Sequence, residues 1–83
     1  MRTATVYCVS PDGVTFAMKT EDDELIVADS DGIWVPYKGC TLSGAMTEHG
    51  RNTLLVTGTS QTANVFIQAR HCSAAGVVKL LRR

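Results

Sequence analysis

Hydrophobic and polar positions alternate along most of the first seventy residues, in short runs broken by turn-forming residues. Residues 3–9 alternate around Val6 and Tyr7, and Pro11-Asp12-Gly13 then supplies a turn in which Gly13 is free to adopt positive φ. Val14, Phe16 and Met18 fall on one side of a second strand, with Thr15 and Lys19 on the other. Glu21-Asp22-Asp23-Glu24 interrupts the pattern with four like charges, which belong on a surface loop. Leu25 to Ala28 predicts a third strand, ended by Asp29-Ser30-Asp31-Gly32. The Asp-Gly step there predicts a hairpin into a fourth strand over 33–37, in which Pro36 donates no hydrogen bond and marks an edge or a bend. Residues 40–47 predict the next extended stretch and 48–52 a turn. Two further strands follow over 53–57 and 63–70, joined by the small polar loop 58–62. In the last strand Val65 and Ile67 face one way, and Phe66 and Gln68 the other.

After residue 70 the period changes. Ser73 is positioned as an N-cap, and Ala74, Val77, Val78 and Leu81 recur at helical spacing, with Lys79, Arg82 and Arg83 in the last turn. Gly76 inside this stretch costs about 1 kcal/mol relative to alanine, so the helix needs packing against the sheet. The fold expected is one domain over 1–83, mainly β. It is an antiparallel β-sandwich or sheet of six to seven strands within 2–70, with one short C-terminal helix over about 73–82.

Size sharpens this picture. A chain of 83 residues and 8.9 kDa has room for a single core. Folding at this length buries only about 60% of the unfolded surface, and such chains commonly draw on disulfides, a metal or a partner subunit. The formal net charge of zero hides a split: residues 1–31 carry seven acids against two bases, and residues 32–83 carry six bases against Glu48 alone. Opposite edges of this kind suit contact between copies of one chain. No apolar run is long enough to span a membrane, and the opening residues 1–5 lack the apolar core of a secretion signal, so the expected location is cytoplasmic.

The chemistry-bearing residues do not assemble into a catalytic motif. Cys8, Cys40 and Cys72 contain no C-x-x-C pair and read as reduced thiols, so no structural metal is expected. Asp29-Ser30-Asp31-Gly32 resembles the start of a calcium loop but lacks the later ligands. His49 and His71 have no nucleophile elbow to serve. The chain therefore reads as non-enzymatic. Trp34 and Tyr37, flanking Pro36, are candidate interface residues, with one of the two rings directed away from the core.

Three segments resemble one known family. Asp12-Gly13-Val14, Lys38-Gly39 followed by Thr47-Glu48-His49, and Ile67-Gln68-Ala69-Arg70-His71 are similar, in this order, to segments of the tryptophan RNA-binding attenuation protein (TRAP) family. The resemblance implies a ring of identical all-β subunits that binds a small molecule, such as an amino acid, in crevices between neighbours. It places Thr20, Thr47 and His49 at that crevice. The family's basic strand pair falls on Leu55 and Thr57, so strong RNA binding is not expected. Ala45 replaces a glutamine, and the loop 21–24 is acidic where the family has a ligand lid. The outline of strands closing on a helix is also that of a pleckstrin-homology-like domain.

Two functional expectations follow. One is a non-enzymatic, homo-oligomeric, TRAP-like binding or regulatory protein, with no cofactor beyond a small-molecule ligand between subunits. The other is a small protein-interaction or inhibitor module, of the kind a mobile element encodes, acting through the acidic loop and the aromatics Trp34 and Tyr37.

Overall fold

The computed structural model describes residues 2–32, 34–44, 50–70 and 75–77. Six strands form: β1 (Arg2–Val9), β2 (Thr15–Thr20), β3 (Leu25–Ser30), β4 (Thr41–Gly44), β5 (Gly50–Val56) and β6 (Thr62–Ala69). Every pairing is antiparallel, in the order β1-β2-β3-β6-β5-β4, and β4 returns to β1 to close a barrel. Strands β4-β1-β2-β3 thus form a Greek key. The β-rich class matches expectation. The sandwich or open sheet is corrected to a closed barrel, because β3 pairs with β6 and β4 with β1, and neither partner is adjacent in sequence.

Alternation along each strand fills the barrel. Ala4 and Val6, Phe16 and Met18, Ile26 and Ala28, Leu42, Leu54 and Val56, and Ala63, Val65 and Ile67 all point inward and are buried. Two bulges adjust the phase. Between Val6 and Cys8 of β1 the register with β2 slips by one residue, so Tyr7 and Cys8 both pack outside the wall, while Val9 returns to the core. Opposite Val27–Ala28, β6 carries the extra residue Gln68 between Ile67 and Ala69. Outside the wall, Ala17 and Val27 form a second apolar cluster with Tyr7, Cys8, Leu25 and Ala69. Val77, in helical residues 75–77, covers it. The rest of the expected helix 73–82 lies outside the described residues.

The expected strand over 33–37 is not formed by the described residues 34–37. Trp34 instead turns into the barrel and meets Phe16 edge-on, with ring centroids 5.4 Å apart and planes at 81°. The Ser30 hydroxyl donates to the Trp34 carbonyl, and the loop then joins β1 through Gly39 N–H to the Val6 carbonyl and Val6 N–H to the Cys40 carbonyl, both at 2.8 Å. Asp31-Gly32 does turn, with φ of 92° at Gly32, but it leads away from β3 rather than back along it. The turn expected at 48–52 is strand from Gly50 onward, because β6 offers it a full ladder. Among the described residues no helix is long and apolar enough to cross a membrane.

Candidate functional site

Strands β3, β6 and β5 lie side by side, and their outward residues form a groove of about 620 Å3. Its centre is one cross-strand row: Phe66 pairs with Asp29 on one side and with Arg51 on the other. Directly paired residues on one face stand about 5 Å apart at Cβ, so an acid, an aromatic ring and a base meet in line. Phe66 is 52% exposed, on the outward side that strand alternation assigns it. A second row runs beside the first: Asn64 pairs with Thr53, whose hydroxyl donates to its side-chain oxygen at 2.9 Å, and the Asn64 carbonyl accepts Asp31 N–H at 3.1 Å. Both rows therefore carry their acid on the β3 side and a donor on the β5 side.

Asp29 is held in place. Thr15 on β2 donates its hydroxyl at 2.7 Å to one carboxylate oxygen, and the bulge residue Gln68 donates its amide to the other. Arg51 is exposed and forms no ion pair with any described residue. Its charge is available to a molecule that settles over Phe66.

A different cluster fastens the ends of the barrel wall. The Glu24 carboxylate, 7% exposed, accepts Arg2 Nη2 at 2.6 Å and Arg70 Nε at 3.1 Å. Thr20 belongs to this structural end: it is buried, its hydroxyl accepts Glu24 N–H at 3.0 Å, and Arg2 Nη2 lies 3.4 Å away. Thr20 therefore does not line an open crevice in this chain. The acidic run is also split, with Glu24 turned inward while Asp22 and Asp23 stay exposed.

Thr47 and His49 lie outside the described residues. Of the two aromatic candidates, Trp34 is 4% exposed inside the barrel and Tyr37 is 56% exposed outside it. The expectation that one ring points outward holds for Tyr37, and Trp34 is corrected from interface to core because its ring fills the barrel against Phe16. The neighbouring Cys40 thiol holds the Tyr37 hydroxyl above its usual range. Cys8 and Cys40 lie on opposite sides of the wall. Among the described residues no three of His, Cys, Asp and Glu converge as metal ligands.

The groove itself was legible only in part. Phe66 is readable as outward-facing from its strand pattern, but its placement between Asp29 and Arg51 depends on strand pairings that join residues 37 and 15 positions distant. Comparison with protein-family models, with curated proteins and with solved structures gives no match.

Proposed function

We propose that this chain is a small, non-enzymatic binding protein that works as a homo-oligomer through the outer groove of β3, β6 and β5. The observation that carries the reading is Phe66, half exposed between an acid and a base in one cross-strand row. A large apolar side chain at the centre of a polar rim is the anatomy of a protein contact. Burying it against another subunit also supplies stability that an 83-residue core lacks. The resemblance to TRAP supports the same reading, with a small-molecule crevice at subunit boundaries as its finer form. Barrel closure gives each strand two neighbours, so copies of this chain meet through side chains rather than by adding strand to strand. Strong RNA binding is not part of the proposal, since the outward positions Leu55 and Thr57 carry no charge.

The second reading is a protein-interaction module acting through the loop after β3, where Val35 is 66% and Tyr37 56% exposed. Sedimentation of the purified protein separates the two. The homo-oligomer reading expects a mass that rises above 8.9 kDa with concentration. A mass fixed at 8.9 kDa up to millimolar protein contradicts it and favours the module.

A further inference from the structure

We propose that the Asp29–Phe66–Arg51 row takes a second copy of this chain, face to face, about a two-fold axis running along β6; the inference rests on the homo-oligomer reading and specifies its contact. The argument is one of charge symmetry. Across the row, Asp29 stands on one side of Phe66 and Arg51 on the other. A two-fold axis lying in the contact plane and parallel to β6 exchanges left with right. It therefore sets Asp29 of each copy over Arg51 of the other and brings the two Phe66 rings together. The second row is compatible with the same rotation: it sets Asn64 over Asn64, where the amide N–H groups of each copy meet the amide oxygen of the other, and places no like charges opposite each other. An isologous contact requires this self-complementarity, in which residue i meets j and j meets i.

A patch of one charge sign repels its own copy, and an uncharged apolar patch has no preferred register. This row has opposite signs on either side of an aromatic ring, so it selects both the partner and the register. Asp29 is also pre-positioned by Thr15 and Gln68, which lowers the entropy lost when it meets a guanidinium. A standard interface takes about 800 Å2 from each partner, about one sixth of the 4804 Å2 this chain exposes. Three strands about 4.8 Å apart make a narrow face, which favours a weak, concentration-dependent dimer.

The test is a charge swap read by sedimentation equilibrium from micromolar to millimolar protein. Arg51→Asp sets carboxylate against carboxylate twice in the dimer, and Asp29→Arg sets guanidinium against guanidinium twice. Each variant alone is expected to weaken self-association at least about tenfold. An equimolar mixture of the two restores opposite charges at both positions, and is expected to form a heterodimer with affinity near that of the wild type. Circular dichroism confirms the fold of Asp29→Arg, which loses the bonds from Thr15 and Gln68. Should that variant not fold, Arg51→Asp and Phe66→Asp decide, because both positions are exposed and both changes are expected to give monomers. Wild-type-like association of Arg51→Asp or Phe66→Asp, or a mixture of folded charge variants that stays monomeric, overturns the two-fold row while leaving homo-oligomerisation standing. A wild type that never exceeds 8.9 kDa overturns both.

Discussion

Arg70, immediately after β6, grips Glu24, immediately before β3, with Nε 3.1 Å from a carboxylate oxygen that is almost fully withdrawn from water. The pair spans 46 residues, and Arg2 holds the same carboxylate from the start of β1. Three strand ends are thereby tied at one carboxylate. Removing its charge leaves two guanidiniums, each 19% exposed, facing a neutral group.

Glu24→Gln is therefore expected to lower stability by about 2–4 kcal/mol, somewhat below the cost of breaking a fully buried pair because the arginines keep some water. Urea denaturation with an unchanged slope checks this. A loss under about 0.5 kcal/mol would place the cluster among ordinary surface ion pairs.

Trp34 and Tyr37 are expected to separate sharply. Trp34→Ala removes the ring packed on Phe16 and should cost about 3–5 kcal/mol, whereas Tyr37→Ala should cost under about 0.5 kcal/mol. As the sole tryptophan of the chain, Trp34 should also fluoresce as a buried indole that shifts to the red on unfolding. Comparable costs at the two positions would contradict the inward placement of Trp34.

Gly44 marks a close approach of β4 to β5. A Cβ there would stand 2.6 Å from Leu54 Cδ2, so Gly44→Ala forces the leucine off its rotamer and should cost about 1–3 kcal/mol. In the Leu54→Ala background the clash is gone, and the cost of Gly44→Ala should fall to near zero. Additive costs in this double-mutant cycle would show that the two side chains do not compete for space.

Asp12 gives a pH dependence. The Ser10 hydroxyl first, and then the Val14 amide, bond its carboxylate and hold its pKa below the ordinary 3.8. A carboxyl with a lower pKa in the folded chain contributes stability above its unfolded value, and that contribution fades as pH falls through the folded value. Titration followed by NMR should place the Asp12 midpoint below 3.8. In Ser10→Ala the midpoint should move back up, and an unmoved midpoint would assign the shift elsewhere.

The strands were largely legible because hydrophobic alternation is a local signal, and it marked Phe16 and Met18, Val65 and Ile67, and the outward Phe66. Partnership was not. Asp31-Gly32 has the chemistry of a hairpin turn and does turn, yet β3 finds β6 rather than the next segment, and Asp31 N–H bonds to Asn64 instead. Pro36 reads as an edge or a bend of a strand that the described residues 34–37 do not form, and only packing against Phe16 decides that Trp34 enters the barrel while Tyr37 stays out. The bulges at Tyr7 and Gln68 also leave no sequence signature; the first sets the phase within the β1–β2 hairpin, and the second sets it between β3 and β6, which are far apart in sequence. The candidate groove inherits this limit: its residues were visible one by one, and their row was not.

The central claim is that copies of this chain meet on the outer face of β3, β6 and β5, and amide chemical shifts followed on dilution test it most directly. Between millimolar and micromolar protein, the account predicts shifts concentrated at 29–31, 51–53 and 64–66, with the amides of β1 and β2 nearly still. Shifts centred on 35–38, or none at any concentration, would contradict it.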